Sequence, residues 1–302
     1  MKILTIGSIN IDHVYEVEHF VRPGETLSGS SYRVFAGGKG FNQSVALARA
    51  GAVAYHAGRI GAHAEWLLER LQGEGVDTTF VIVGEEPTGH AIIQIAPSGE
   101  NAIVLYGGAN RCVTETDIDS ALSAFSAGDY LLLQNETRGV PYAMRQAHAK
   151  GLKIAFNPAP MASDVQAYPL ELVDLFILNE TEAEALTGSG EPQDACRIMR
   201  ATFPNAATLL TLGAKGAMYS DAQTTHVESA HRVDAVDTTA AGDTFIGYCL
   251  AELMQSGNPH AALTRGCCAA ALCVMQSGAA DSIPTQDSVN DLMQTRKTKE
   301  HR

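Results

Sequence analysis

The sequence VDTTAAGDTF, from Val236 to Phe245, is a loop of small residues that leads into an apolar helix, which we predict over residues 244–255. Backbone N–H groups at the start of a helix are unpaired and carry positive partial charge. Ala240, Ala241 and Gly242 leave these groups accessible to an anion. Asp243 would repel an anion, but it could take a proton from a hydroxyl held beside it. For an isolated aspartate a helix N-cap would be the better explanation; motifs elsewhere in the chain change that balance.

The composition argues against several classes of protein. The 302 residues carry a formal charge of −13, which disfavours nucleic acid or an anionic membrane as the main partner. The apolar run at the N-terminus is too short for a signal peptide. The longest weakly polar run, residues 266–275, falls far short of the roughly 20 residues that span a bilayer. Six cysteines without a CxxC pair favour reduced thiols, so we expect a cytoplasmic protein.

Apolar runs alternate with helical segments along most of the chain, beginning with a strand predicted over residues 2–9. This alternation predicts an α/β protein with a mostly parallel central sheet. Ligands bind at the carboxyl edge of such sheets. Polar residues follow the predicted strands there, namely Asn10, Asp12, Glu136, Asn157, Asn179 and Glu182. Turn formation explains each of them singly but explains the whole set less well.

Two segments interrupt the alternation. Residues 13–35 do not look like a crossover helix: residues 14–19 alternate, Pro23-Gly24 predicts a turn and residues 32–35 are strand-like. Residues 88–106 have the pattern of a β-hairpin. If the two segments paired, they would form a small β-sheet lid over the main sheet. The sequence contains no linker or repeat, so we expect a single domain over residues 1–302 with the lid inserted.

Between the two lid segments lies the glycine-rich turn GGKGFN, residues 37–42, before a helix predicted over residues 43–50. Glycines at such a turn allow the backbone to approach a ligand closely. The turn matches neither the P-loop pattern nor GxGxxG. Lys39 and Asn42 extend polar groups from it. The alternative interpretation is a strained strand-to-helix turn that carries a solvated lysine.

Together these motifs resemble those of the ribokinase group of the PfkB carbohydrate kinases, over essentially the whole chain. The resemblance rests on GSINID (7–12), GGKGFN (37–42), NPAP (157–160), NETEAE (179–184), TLG (211–213) and DTTAAGD (237–243). Ala240 replaces the first glycine of the family's usual GAGD, as it commonly does within this group. The resemblance implies a ribokinase-like αβα sandwich with a β-sheet lid, and an ATP-dependent sugar kinase.

The resemblance also implies roles for individual residues. The sugar would be bound by Asn10, Asp12, Gly38, Lys39, Asn42 and Glu136, with Asp243 as the base and Ala240, Ala241 and Gly242 as the anion hole. ATP would contact Asn179, Thr211, Gly213 and Gly242. Mg²⁺ would be held by Asn179 and Glu182, partly through water, and an activating K⁺ by Asp237, Thr239, Val274, Ser277, Ala279 and Ser282. A homodimer formed through the lid is the further expectation.

The sequence leaves the acceptor open. D-ribose, phosphorylated at its primary 5-hydroxyl, fits the motifs, but 2-deoxyribose, another pentose, a ketohexose or a nucleoside would need the same machinery. A catalytically silent sugar- or nucleotide-binding protein is a second alternative, although such a protein would be free to lose Asp243. A dinucleotide-dependent oxidoreductase is disfavoured because GxGxxG is missing.

Overall fold

Residues 1–300, which the computed structural model describes, form two β-sheets with helices on both faces of the larger one. The strands are β1 (Lys2–Ile6), β2 (Asn10–Glu16), β3 (Ser31–Gly37), β4 (Val53–Gly61), β5 (Asp77–Gly84), β6 (Gly89–Ile95), β7 (Asn101–Tyr106), β8 (Tyr130–Gln134), β9 (Lys153–Asn157), β10 (Leu175–Asn179), β11 (Ala207–Thr211), β12 (Ala217–Ser220) and β13 (Thr225–Glu228). The helices are α1 (Lys39–Arg49), α2 (Glu65–Gly73), α3 (Glu115–Leu122), α4 (Val140–Ala149), α5 (Glu180–Thr187), α6 (Pro192–Thr202), α7 (Ala241–Ser256), α8 (Pro259–Cys273) and α9 (Gln286–Glu300). Residues 301 and 302 of the expected domain lie outside the described part.

The larger sheet has the strand order β13-β12-β11-β10-β9-β8-β1-β4-β5. Every neighbouring pair from β11 to β5 is parallel, and β12 and β13 close one edge in antiparallel orientation. The predicted α/β class with a mostly parallel sheet is therefore confirmed. In such a sheet the carboxyl ends of the parallel strands lie at one edge, which is where a ligand site is expected.

Two apolar cores lie on opposite faces of this sheet. One packs side chains of α1, α2, α7, α8 and α9 against it, and the other packs those of α3, α4, α5 and α6. Central strands such as β8 are buried on both faces, as their continuous apolar sequences require. Within residues 1–300 no helix is long and apolar enough to cross a membrane.

The smaller sheet, which we call the lid, has the strand order β3-β2-β6-β7. Its strands come from residues 10–37 and 89–106, so the two irregular segments of the sequence do pair with each other, β2 lying parallel to β6. Side chains alternate between its two faces. Asp12, opposite Phe35 and Ala91, lies on the inner face, and His13, opposite Val34 and Ile92, lies on the outer face.

The first predicted strand was too long, because β1 ends at Ile6 and the chain enters the lid at Asn10. The segment between them packs tightly against the start of α1: a Cβ at Gly7 would overlap Gly40 Cα, and Ser8 C=O accepts a hydrogen bond from Phe41 N–H at 2.9 Å. Asn10 and Asp12 therefore begin a lid strand instead of ending a core strand.

The two functional helices start earlier than predicted. α1 begins at Lys39 instead of residue 43, because Gly38 adopts a φ of 93° that favours glycine and its C=O accepts from Asn42 N–H. α7 begins at Ala241 instead of residue 244. The two helices cross closely at Gly247, where a Cβ would overlap Ala46. Their first turns are consequently held side by side.

Candidate active site

The carboxylate of Asp243 lies between the first turns of α7 and α1 and is fixed by two amides. Asn42 Nδ2 donates to Asp243 Oδ2 at 3.0 Å, and Gln43 Nε2 donates to Oδ1 at 2.8 Å. Each oxygen keeps a lone pair, since a carboxylate oxygen can accept two hydrogen bonds. Asp243 is therefore oriented but still able to accept a proton. Gln43 was missed by the sequence analysis, where it was only the first residue of a predicted helix.

Gln43 extends this arrangement into a chain of amides. Its Oε1 accepts from Gln134 Nε2 at 2.7 Å, and its Nε2 also donates to Asn157 Oδ1 at 3.3 Å. Asn157 Nδ2 in turn lies 3.4 Å from Glu182 Oε2. Gln134 and Asn157 are the last residues of β8 and β9, and Glu182 lies just after β10, so the chain of amides that holds Asp243 is anchored at the carboxyl edge of the sheet. A buried network of this kind fixes side-chain orientation only when its members are paired with one another.

The loop before α7 leaves backbone donors open. Ala240 adopts a left-handed conformation with φ 60°, uncommon for a residue with a side chain. Ala241 N–H lies 3.3 Å from Thr238 C=O, whereas the N–H groups of Gly242 and Asp243 have no acceptor among residues 1–300. Two open N–H groups at the positive end of a 16-residue helix form a site for an anion. Ala240 N–H also has no acceptor among these residues, so the open donors include Ala240 and Gly242 of the predicted set together with Asp243, and their role stays a prediction.

Three charged groups face Asp243 from the lid side. Glu136 accepts from the Ser8 hydroxyl and, at 3.2 Å, from Lys39 N–H. Asp12 lies against the backbone at Gly37, where a Cβ would overlap its carboxylate. Burial, followed by the charges of Glu136 and Asp243, raises the pKa of Asp12 to about 7. Burial opposes the charge on Lys39, but Asp243, Glu136 and Glu182 outweigh it and raise the pKa of Lys39.

Asn42 has an unused acceptor. The side chain is buried, its Nδ2 is bound to Asp243, and its Oδ1 has no hydrogen-bond partner in the described part of the chain. A buried carbonyl oxygen without a donor costs about 1–3 kcal/mol. A ligand hydroxyl would satisfy it. This oxygen beside Asp243 is therefore a candidate acceptor for a ligand hydroxyl.

Two adjoining cavities open on the other side of Asp243. A polar cavity of about 260 Å³ is lined by Lys39, Asn157, Asn179, Glu182, Thr211, Thr238, Ala240, Gly242 and Asp243 among others. It shares Thr211, Thr238 and Gly242 with a more apolar cavity of about 460 Å³. Gly213, Val233, Phe245, Ala271 and Val274 contribute to the lining of the second cavity. A polar compartment leading into an apolar one suits the phosphates and the base of a nucleotide.

Most residues that line the apolar cavity were not predicted from the sequence. Of its lining residues, the sequence analysis named only Thr211, Gly213 and Gly242, Ala241 as part of the anion hole, and Val274 as a cation ligand. Val233 and Ala271 belong to no motif, and Phe245 looks like any core residue of an apolar helix. Their common position becomes visible only when α7 and α8 pack beside the loop after β13.

Asn179 and Glu182 form a capping box at the start of α5. Asn179 Oδ1 accepts from Glu182 N–H at 2.8 Å, and Glu182 accepts from Asn179 N–H at 2.9 Å and from Asn179 Nδ2 at 3.0 Å. Burial raises the pKa of Glu182, although the Asn179 N–H and Lys39 oppose the shift. Among the described residues no group of three or more His, Cys, Asp or Glu could hold a metal ion.

A separate cluster of oxygens lies behind the anion site. Asp237 accepts from Thr239 N–H at 2.9 Å and Gly278 N–H at 3.0 Å, and Val274 C=O accepts from Asp237 N–H at 3.1 Å. Burial opposes ionisation of Asp237, but these hydrogen bonds and Arg33 lower its pKa. Ala279 C=O accepts from Ser282 Oγ at 2.9 Å, and Ser277 lines the same region. All six residues named for the cation thus come from two neighbouring loops.

A third cavity, of about 640 Å³, separates the lid from these loops. Asp12, Val14, Phe35 and Ile93 line it from the inner face of the lid, and Asp237, Thr239 and Ser277 line it from the main body. Asp12 therefore lines this cavity and also interacts electrostatically with Glu136 and Asp243.

Comparisons with known proteins show the family to which the chain belongs. The model of the pfkB family carbohydrate kinases matches residues 1–286. The chain is 39% identical over 303 residues to ribokinase of Haemophilus influenzae, covering 97% of this chain and 99% of that protein. It resembles a crystal structure of ribokinase from Cryptococcus neoformans in complex with ADP (TM-score 0.84, 34% identity, 96% and 99% of the two chains). It also resembles ribokinase of Arabidopsis thaliana solved with ribose and ATP (TM-score 0.84, 28% identity, 97% and 98%).

The raised pKa of Asp12 predicts a pH dependence of stability. The folded, ligand-free protein holds this proton up to about pH 7, whereas an ordinary aspartate loses it near pH 3.8. Between these values the folded state binds more protons, so the Asp12 contribution falls as pH rises, by at most about 1.4 kcal/mol per pH unit. Asp12→Asn should abolish this contribution. The measurement is the difference in urea unfolding free energy between the variant and wild type from pH 4 to pH 7.

The exposed residue Asp287, changed to asparagine, is the control for loss of a carboxyl group. The Asp12 difference curve should slope upward with pH, and the Asp287 curve should not follow it. Parallel curves for wild type and Asp12→Asn would contradict the assigned shift.

Proposed function

Since the chain belongs to the pfkB family of carbohydrate kinases, we propose that it transfers the γ-phosphoryl group of ATP to the primary 5-hydroxyl of D-ribose. The observation that carries the proposal is the position of Asp243. Its carboxylate adjoins open backbone donors for an anion on one side and the unpaired Asn42 Oδ1 on the other. A carboxylate between a hydroxyl site and a phosphate site is the arrangement that phosphoryl transfer to an alcohol requires.

The acceptor is held by groups of complementary polarity. Asp12 and Glu136 accept hydrogen bonds from sugar hydroxyls, as does Asn42 Oδ1, while Asn10 and Lys39 donate. Gly38 lets the backbone come close to the sugar. Asp243 faces the hydroxyl that reacts and takes its proton. Since phosphoryl transfer depends mainly on positioning and charge stabilisation, a carboxylate of ordinary basicity is sufficient.

The phosphoryl group is stabilised by the start of α7. The N–H groups of Gly242 and Asp243, together with the small side chains of Ala240 and Ala241, give it backbone donors and room to approach. By analogy with oxyanion holes each donor contributes on the order of 10²- to 10³-fold in rate. Lys39, whose charge the surrounding carboxylates favour, supplies positive charge on the acceptor side.

The nucleotide occupies the two cavities beyond Asp243. The base and ribose of ATP lie in the apolar cavity lined by Gly213 and Phe245, and the phosphates extend past Thr211 towards Gly242. Mg²⁺ would be held by Asn179 and Glu182 partly through water, because both side chains already make capping hydrogen bonds. Mg²⁺ commonly retains waters and binds substrate phosphates. When bound, Mg²⁺ would neutralise charge on the transferred group.

A monovalent cation, K⁺, is proposed for the oxygen cluster behind the anion site. Hard cations prefer oxygen ligands, and this cluster offers the Asp237 carboxylate, the Ser282 hydroxyl and backbone carbonyls of Thr239, Val274, Ser277 and Ala279. The loop that carries Asp237 continues directly into Ala240, so a cation bound there would fix the anion site.

We also propose that two copies pair through the outer face of the lid. This face exposes large apolar side chains, with Val34, Ile92 and Val104 in one row across three strands and Tyr32 and Tyr106 beside it. An exposed apolar face on a small sheet favours an interface. A cytoplasmic location is proposed as well, since the reaction consumes ATP and the described residues contain no disulfide bond.

The first test is phosphorylation of a small panel by the purified protein with ATP and Mg²⁺: ribose, 2-deoxyribose, fructose and adenosine, each with K⁺ and with Na⁺. Adenosine is included because the cavity under the lid is large, at about 640 Å³. We expect ribose to have the highest kcat/KM and K⁺ to raise its turnover. Asp237→Asn should abolish the K⁺ effect.

Each other outcome has a distinct meaning. Preference for another acceptor corrects the substrate and leaves the kinase assignment in place. Ribose turnover without a K⁺ effect rejects the cation site alone. Binding of a sugar without phosphorylation of any would favour a silent binding protein.

Asp243→Asn should lower kcat by at least about 10²-fold, because the variant keeps the shape of the side chain but loses its basicity. The dissociation constant for ribose, measured by calorimetry, should change little. Asp287→Asn, a surface change on α9, should behave as wild type. Near-normal turnover in Asp243→Asn would remove this residue as the base.

Val104→Glu should convert the proposed dimer into monomers, because it places charge on a side chain that is 66% exposed in the single chain and buried in the interface. Light scattering at several concentrations measures the mass. Val227→Glu, at a 58% exposed position on β13, is the matched control and should remain dimeric. A wild-type monomer, or a Val104→Glu dimer, would exclude the lid interface.

A further inference from the structure

Asn110 is a buried residue outside every motif in the sequence, and it lies in the short helical turn Gly108–Cys112 where the chain returns from the lid. Its Oδ1 accepts from Ile9 N–H at 3.0 Å. Its Nδ2 donates to Ile9 C=O at 3.3 Å and to Asn10 Oδ1 at 2.7 Å. A backbone N–H can only donate and a backbone C=O can only accept, so the main chain of Ile9 fixes which end of the Asn110 amide is which.

This fixed polarity passes to Asn10. Because Asn110 Nδ2 is a donor, the atom of Asn10 that faces it must be the oxygen, Oδ1. Asn10 Nδ2 then points away from Asn110 and has no hydrogen-bond partner among residues 1–300. Unlike Asn42 Oδ1, it is not completely buried. A ligand bound beside Asn10 would therefore meet only N–H donors from its side chain.

Asn42 has the opposite polarity. Asp243, which can only accept, fixes Asn42 Nδ2, and this leaves Asn42 with Oδ1 as its open group. The two asparagines of the acceptor site are thus a committed donor and a committed acceptor, although either residue type can do both. A sugar hydroxyl that accepts from Asn10 is then free to direct its own proton to a carboxylate such as Asp12.

We propose that Asn110 is a positioning residue that sets the specificity of the acceptor site by holding the Asn10 amide in its donor orientation. The inference rests on the proposed sugar kinase function and adds a residue that does not itself touch the sugar. A site with a fixed donor rejects an analogue that lacks the matching hydroxyl, because the donor is then left unpaired.

The surrounding chain keeps space for this amide pair. Gly89, which is opposite Asn10 in the β2–β6 ladder, has no room for a Cβ because it would overlap both Asn110 Nδ2 and Asn10 Oδ1. Asn110 C=O also accepts from Arg138 N–H at 3.2 Å, two residues beyond Glu136. Asn110 therefore connects three segments: the turn that follows β7, the start of β2 at Asn10, and the loop after β8 that carries Glu136.

The test is a double-mutant cycle with Asn110→Ala and Asn10→Ala, read by the KM for the sugar. Asn110→Ala alone should raise this KM by about 5- to 100-fold, as expected for one misplaced buried hydrogen bond, with the KM for ATP unchanged. In the Asn10→Ala background the same change should have an effect of less than about twofold, because its route to the sugar is gone. Independent, additive effects would overturn the proposal.

A second variant, Asn110→Asp, removes the donor of the Asn110 side chain without changing the shape of that side chain. In Asn110→Asp the carboxyl still accepts from Ile9 N–H but cannot donate to Asn10 Oδ1, so the Asn10 amide should turn over and present its oxygen. The preference for ribose over 2-deoxyribose should then shift by at least about fivefold relative to wild type. An unchanged KM and preference in a folded Asn110→Asp protein would also overturn the proposal. Asn205→Ala, at an exposed turn, controls for loss of an amide, and melting temperatures verify folding.

Failure of the inference is distinguishable from failure of the proposed function. Wild-type protein is assayed in parallel, and lack of ribose phosphorylation there rejects ribose as the acceptor. The cycle is then run with whichever panel compound is phosphorylated, or on the dissociation constant of one that only binds. Additivity in that cycle rejects the role of Asn110 whichever acceptor is used.

Discussion

The close crossing of α1 and α7 is the constraint on which the rest of the site depends. Gly247 leaves no space for a side chain between the helices, so Ala46 packs directly on the α7 backbone. This contact brings the first turn of α1, with Asn42 and Gln43, onto Asp243 in the first turn of α7. Two helix starts side by side also combine their positive ends, which favours a phosphoryl group despite a net charge of −13 over the whole chain.

Amide side chains hold this arrangement because they can fix a charged group without neutralising it. An arginine or lysine hydrogen-bonded to the carboxylate would instead form an ion pair with it. Asn42 and Gln43 orient it through neutral donors, and Gln43 is itself oriented by Gln134 and Asn157. Asn110 acts in the same way on the lid side, where the backbone of Ile9 sets the polarity of Asn10. In both places hydrogen bonds hold buried amides in one orientation, and that orientation decides whether a donor or an acceptor faces the proposed ligand.

The lid joins the main body at the residues that we propose to bind the acceptor. β1 ends at Ile6 and β2 begins at Asn10, so Asn10 and Asp12 belong to the lid while Lys39 and Glu136 belong to the body. Motion of the lid would change the distance between Asp12 and the charges of Glu136 and Asp243, which contribute to its raised pKa. In the proposed site, lid position and the charge on Asp12 would therefore be coupled to acceptor binding.

The sequence by itself determined the α/β alternation, the two lid segments and the loops around residues 37–42 and 237–243, because apolar periodicity and runs of small residues are local properties. It also singled out Asp12, Asn42 and Asp243, since their motifs are contiguous. It did not reveal Gln43, Asn110 or Phe245, because a glutamine in a helix, an asparagine after a strand and a phenylalanine in a core segment look ordinary one at a time. Their importance depends on partners 29 to 200 positions away in the chain, such as Asp243 for Gln43, Asn10 for Asn110 and Val274 for Phe245. Only the tertiary structure decides such pairings, because hydrogen-bond direction and shared cavities are set by packing and not by sequence spacing.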